Sequence, residues 1–142
     1  MEHSISTEAN SAENAVAFPP VDIVVVAHNP DEWFGDVLNS FAIQDYPDFN
    51  VVVLTTGEES QMRNFVHEYL PQAQVHVVES DHGYGRNLNS VFALDTNSAF
   101  FLFCHHDVAL APDALRLMVE ESLRSNAGIV GPKIVNWDRP DE

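Results

Sequence analysis

The sequence predicts an α/β domain with a mostly parallel sheet and helices on both faces. Three observations predict it. Short apolar runs rich in β-branched residues recur along the chain, as strands buried on both faces require. Between them, apolar residues recur at helical spacing. The connections are short, so each helix serves as a crossover between neighbouring parallel strands.

The first 17 residues, Met1 to Ala17, are rich in Ser, Glu, Asn and Ala. They read as a disordered acidic tail, with order beginning near Phe18-Pro19-Pro20 and a single domain over 18–142. Val21-Asp22-Ile23-Val24-Val25-Val26-Ala27 is the first strand. Asn29 is the expected N-cap of the helix that follows, with Pro30 at its first position and Glu32 closing a capping box. Phe34, Val37, Leu38 and Phe41 form its apolar face, and Pro47 stops it. Val51 to Leu54 is the second strand. Met62, Phe65, Val66 and Tyr69 stripe the second helix, ended by Pro71. Val75 to Val78 is the third strand. Gly83-Tyr84-Gly85 turns into a helix carrying Leu88, Val91 and Phe92. Phe100 to Phe103 is a fourth buried strand. Leu115, Met118, Val119 and Leu123 line the last helix, which should end near Gly128. Ile129-Val130-Gly131 and Ile134-Val135 are expected to begin further extended structure. No closing element follows them, so the domain reads as incomplete, truncated at its C-terminus.

Composition narrows the function. With 22 acidic and 6 basic residues the formal charge is −16, which argues against nucleic acid and against an anionic membrane surface. A small phosphorylated ligand remains open, given a divalent cation, an arginine or a helix N-terminus to meet it. No apolar run approaches the ~20 residues of a membrane-spanning helix, and no signal peptide is legible. Cys104 is the only cysteine. That fits a reducing compartment, and the expected setting is cytoplasmic, with membrane association of a longer protein left open.

In a parallel sheet, ligands bind beyond the carboxyl ends of the strands, and four polar loops lie there. His28-Asn29 follows the first strand; Asn29 as cap alone and as cap plus ligand are both open. Thr55-Thr56-Gly57 follows the second. In Ser80 to Asn89, two glycines permit a tight turn, and Arg86 at a helix start opposes the helix dipole but suits phosphate. The fourth loop, His105-His106-Asp107, is the sharpest. His105 and Asp107 alternate along an extended backbone and can face one side, with His106 between them. Imidazole plus carboxylate suits Mn²⁺ or Mg²⁺ with phosphate and water completing the shell, and is too few for structural zinc. A capping Asp107 beside ordinary polar histidines is the alternative.

Taken together, these motifs resemble the family 2 glycosyltransferases of the GT-A fold, a Rossmann-like architecture. The resemblance runs from about Val21 to Val135. It is carried by Val24-Val25-Val26-Ala27-His28-Asn29, by Gln44-Asp45-Tyr46-Pro47, by Gly83-Tyr84-Gly85 with Asn89, by His105-His106-Asp107 at the family's Asp-x-Asp metal motif, and by Pro112-Asp113-Ala114-Leu115 and Val130-Gly131-Pro132. It implies inverting transfer of a sugar from a nucleoside diphosphate sugar to an acceptor hydroxyl, with a glycan or lipid-linked acceptor in the full-length protein. It assigns nucleotide-sugar contacts to His28, Asn29, Thr56, Gly83, Tyr84, Gly85, Arg86, Asn89 and His106, and the metal to His105 and Asp107. The catalytic base is expected beyond Glu142, so this donor-binding portion should be inactive alone. Two departures stand out. Thr55-Thr56-Gly57-Glu58 replaces the usual Asp-Asp-Gly-Ser, and His105 replaces an aspartate. They keep a second reading open, a non-catalytic binding or interaction domain. A metal-dependent nucleotidyltransferase ranks behind both.

Overall fold

The computed structural model describes residues 18–79, 82–94 and 96–141. The acidic tail expected over Met1 to Ala17 lies outside them, as do Ser80 and Asp81 of the third loop.

Four strands form one parallel sheet. They are β1 (Val21–Ala27), β2 (Phe49–Thr55), β3 (Gln74–Val77) and β4 (Phe100–His105). The helices are α1 (Glu32–Ala42), α2 (Glu59–Tyr69), α3 (Tyr84–Asn89) and α4 (Ala114–Ser125). The strand order is β3-β2-β1-β4. The chain therefore moves outward from β1 through β2 to β3, then returns to the other side of β1. That reversal is a topological switch point, and it lies between β1 and β4.

Alternation along β1 divides the core. Val21, Ile23, Val25 and Ala27 pack with Phe34, Val37, Leu38 and Phe41 of α1, Met62 and Val66 of α2, and Leu115 and Val119 of α4. Val24 faces the other way, into a smaller cluster with Val52, Leu54 and Val91. Helices thus cover both faces, but unequally. Among the described residues the second face has only α3, which tightens after six residues into a 3-10 turn over Ser90–Ala93.

Several local expectations change. The N-cap of α1 is Asp31, whose carboxylate accepts from the Phe34 amide at 2.7 Å. Asn29 and Pro30 precede the helix, and Glu32 is its first residue rather than the partner in a capping box. Asp31 occupies the cap because its short anionic side chain reaches an amide three residues on and meets the positive end of the helix dipole. β4 is an outer strand, not one buried on both faces. It pairs only with β1 among the described residues, and Phe103 is 43% exposed. Phe92 is exposed too, resting edge-on against Phe101 and Phe103. Leu123 points to solvent. The last helix stops at Ser125, where Asn126 adopts the left-handed conformation (φ 54°) and donates its N–H to the Ser122 carbonyl. Asparagine tolerates that geometry, so Gly128 is not the stop. Ile129 and Ile134 are exposed, and 126–141 contains no strand.

The Gln44-Asp45-Tyr46-Pro47 turn ties the site together from behind. Gln44 is buried and uses both ends of its amide. Its Nε2 donates to the carbonyls of Ser40 (3.0 Å) and Ala111 (2.8 Å), and its Oε1 accepts from the Leu115 amide at 3.0 Å. Asp113, the residue at the N-cap of α4, makes no side-chain capping bond, so Gln44 caps α4 across 71 residues of sequence. The Asp45 amide donates to the Pro112 carbonyl, and Arg116 pairs with the Asp45 carboxylate at 2.9 Å. Tyr46 donates its hydroxyl proton to the Pro19 carbonyl. The loop between β4 and α4 is thereby fixed to the end of α1.

Candidate functional site

The switch point is flanked by two polar pairs. Ala27 lies beside Thr55 on β2, and Val26 beside His105 on β4, so the loops after these strands leave the sheet at one level.

The first pair is His28 and Thr56, with Nδ1 and Oγ1 2.7 Å apart. Its geometry depends on Gly57. A Cβ at Gly57 would stand 2.0 Å from the His28 carbonyl oxygen, an impossible approach to backbone, and 3.4 Å from Asn29 Oδ1. The glycine is required by close approach. Thr55 is fully buried, and its hydroxyl oxygen accepts from the Gly57 amide at 3.1 Å. Asn29 is exposed beside this pair, and with Asp31 capping α1 its side chain is not spent on the helix.

Glu58, the carboxylate of the loop after β2, is turned to the helix that follows. Its two oxygens accept from the amides of Ser60 (3.0 Å) and Gln61 (2.6 Å), capping α2. Those amide hydrogen bonds, Gln61 first, hold its carboxyl below the usual range.

The second pair is His105 and Asp107. Their Nδ1 and Oδ1 are 2.9 Å apart, but not through the expected alternation along an extended backbone: β4 ends at His105, and the turn through His106 and Asp107, closed by the Val108 amide on the His105 carbonyl, folds the carboxylate back to the imidazole. The imidazole of His106 lies 4.9 Å from that of His105 between ring centres, and the Tyr84 ring lies 5.3 Å from the same His105 imidazole. Tyr84 also donates its hydroxyl proton to the Cys104 carbonyl (3.4 Å), which pins the start of α3 to the end of β4. Burial raises the Tyr84 phenol, aided by Cys104 and Asp107. Gly83 precedes Tyr84 with φ 76°, a conformation open to glycine. Gly85, by contrast, lies within α3 and forms no turn. Arg86 is the third residue of this helix and is exposed, as is Asn89 at its end. Asn87 is instead the buried asparagine of the segment, a position sequence reasoning passed over because nothing in the spacing separates it from Asn89.

Among the described residues, no group of three or more His, Cys, Asp or Glu side chains is placed to hold a metal ion. The donor chemistry of the His105–Asp107 pair nevertheless fits a divalent cation. In this structure the two donors are hydrogen-bonded to each other at 2.9 Å.

Two aromatic residues missed in the sequence complete the surroundings. The Trp137 indole N–H donates to the Asp107 carbonyl at 3.3 Å, and its ring meets Trp33 of α1 edge-on at 5.9 Å. They border a cleft of about 960 Å³ between α4 and residues 130–138, which reaches the strand ends through Asp107.

A family profile described as "Glycosyltransferase like family 2" matches residues 19–142. Among curated proteins, none matches the chain. Solved structures share the fold. Residues 1–349 of TarS from S. aureus superpose with a TM-score of 0.62 at 21% identity, covering 82% of this chain and 38% of that one. The same protein in complex with UDP-GlcNAc gives 0.59 at 19% identity, covering 82% and 37%. The mannosyltransferase PcManGT from Pyrobaculum calidifontis, in complex with GDP-Man and Mn²⁺, gives 0.62 at 23% identity, covering 75% and 33%. The chain thus spans well under half the length of the solved proteins it matches.

Proposed function

The chain belongs to the glycosyltransferase-like family 2, and from that premise we propose that it is the donor-binding part of a transferase acting on a nucleoside diphosphate sugar. One observation carries this reading: two polar pairs, His28–Thr56 and His105–Asp107, flank β1 at the switch point of a parallel sheet. That is where such sheets bind nucleotides.

His28, Asn29 and Thr56 would face the nucleoside. Gly83, Tyr84 and Gly85 would shape the wall next to the diphosphate, with Arg86 offering charge-assisted hydrogen bonds to its oxygens and Asn89 at the far end of α3. His106 lies beside His105 and would contact the sugar nucleotide. His105 and Asp107 would hold Mn²⁺ or Mg²⁺, which when bound offsets charge on the leaving diphosphate. In the complete protein the sugar passes to an acceptor hydroxyl with inversion, the acceptor being a glycan or lipid-linked. A carboxylate base outside this chain takes the hydroxyl proton, so residues 1–142 bind donor but do not turn it over. Among the described residues no helix is long and apolar enough to cross a membrane; the cytoplasmic setting stays part of the proposal.

A second reading, a binding domain without catalysis, has one observation in its favour. Glu58, the carboxylate nearest the family's base-contacting position, is committed to capping α2. Calorimetry separates the two. UDP or GDP is titrated into the chain with and without Mn²⁺, and into Asp107→Ala. Metal-dependent binding lost in the variant supports the donor site. Heats that are equal and negligible with and without metal favour the second reading, and unchanged affinity in Asp107→Ala removes Asp107 from the site.

A further inference from the structure

We propose that Trp137 is a positioning residue, fixing the Asp107 turn through its indole N–H while Trp33 holds its ring. The inference rests on the donor-site reading for its purpose, and on separate geometry for its substance.

The Asp107 side chain is 62% exposed. A carboxylate so open to water is not held by packing, and its placement depends on the backbone beneath it. Within the His105–Val108 turn, the Val108 amide donates to the His105 carbonyl at 3.2 Å, and the Cys104 thiol reaches the Val108 carbonyl at 3.4 Å. The Asp107 carbonyl is bound instead from outside the turn, by Trp137 Nε1 at 3.3 Å. Trp137 comes from a segment without regular structure, 30 residues further along the chain. A donor on so loose a segment is useful only if the segment is held, and Trp33 supplies the hold. Its ring meets Trp137 at 5.9 Å and 60°, an edge-to-face contact favoured by the ring quadrupoles. Trp33 is on α1, whose far end is bound through Gln44 to the loop leading into α4. The β4–α4 loop is therefore tied to the two ends of α1, at the Asp107 carbonyl through Trp137 and Trp33, and at Ala111 and Leu115 through Gln44 just beyond the helix.

Trp137→Phe keeps an aromatic ring against Trp33 and deletes only the N–H. Hydrogen exchange by NMR reads the result without any ligand. The Val108 amide should exchange about two- to tenfold faster, the range of one neutral hydrogen bond, while the β1 amides and the unfolding midpoint stay unchanged. Trp33→Phe, which keeps the indole N–H, should shift Val108 exchange less, and Trp137→Ala more. Unchanged Val108 exchange in Trp137→Phe overturns the proposal. Calorimetry with UDP and Mn²⁺ then reads its purpose. Affinity should fall by a similar factor in Trp137→Phe. Faster exchange with unaltered affinity overturns the positioning role. Absence of metal-dependent binding in the unsubstituted chain refutes the donor-site reading instead, and the exchange data alone then decide whether Trp137 holds the turn.

Discussion

Replacing Gln44 by methionine should destabilise the domain more than any other single change of polar group behind the site. The side chains are close in volume, so the cavity contribution is small. What is lost is hydrogen bonding. Gln44 makes three such bonds at 2.8–3.0 Å from a position that is 8% exposed. The substitution strands the Leu115 amide at the N-terminus of α4 and removes donors from the Ser40 and Ala111 carbonyls. Each buried group left without a partner costs about 1 kcal/mol, more for the amide that has no helical alternative, giving about 2–4 kcal/mol in sum. Urea unfolding followed by tryptophan fluorescence measures it. With a slope of about 2 kcal/mol per molar, the middle of the range for small proteins in urea, the midpoint should fall by about 1–2 M. The loss should be centred on α4 and the β4–α4 loop, where hydrogen exchange should accelerate first. A midpoint shift below about 0.3 M would refute the assignment of Gln44 as the cap of α4.

Two further outcomes follow from the same geometry. Gly57→Ala places a methyl 2.0 Å from the His28 carbonyl, so the β1 and β2 loops must separate; a loss of about 2 kcal/mol or more in urea unfolding, with amide shifts at His28 and Thr56, is expected, and a neutral variant would contradict the close approach. The Cys104 thiol is pushed up to about 12 by burial, with the Asp107 carboxylate adding to it. Because the folded value lies above that of the unfolded chain, the stabilisation is complete below about pH 9 and is lost as pH rises towards 12, by at most about 1.4 kcal/mol per pH unit. Between pH 8 and 10 the unsubstituted chain should therefore lose about 1 kcal/mol more stability than Cys104→Ala, and parallel pH profiles would show that the thiol ionises freely in the fold.

How much of this was legible in the sequence depends on the range of the interaction responsible. The strands and long helices were, because β-branched runs and the Phe34, Val37, Leu38, Phe41 stripe encode burial in local periodicity. The pairing of His105 with Asp107 was legible only in part: both residues stand out in the sequence, but a turn after β4, not alternation along the strand, brings their side chains together. The cap of α1 was misplaced by two residues: Asn29 and Asp31 both suit an N-cap, and only backbone geometry chooses between them. The burial of β4 was overestimated because Phe100 to Phe103 reads the same on an outer strand as on an inner one. Gln44 was singled out only through the family resemblance. Its function as a cap for α4 joins residues 71 positions apart, beyond any periodicity. Trp33 and Trp137 were invisible as a pair for the same reason.

These long-range ties bear on what the His105–Asp107 pair is for. Both side chains are more than half exposed, 52% and 62%, and a pair so open to solvent contributes about 0–1 kcal/mol to folding. Stability therefore does not explain its presence, nor the number of contacts converging on the backbone that carries it. Tyr84 binds the Cys104 carbonyl, Trp137 binds the Asp107 carbonyl, and Gln44 binds the Ala111 carbonyl and the Leu115 amide. The scaffold is over-determined while the side chains it presents are weakly held. That combination would suit the proposed donor site: the imidazole–carboxylate contact would be surrendered at small cost to competing phosphate oxygens or a cation, and both groups would keep their positions because the backbone is fixed elsewhere. A pair whose purpose was structural would show the reverse, a buried contact on a loop with few other restraints.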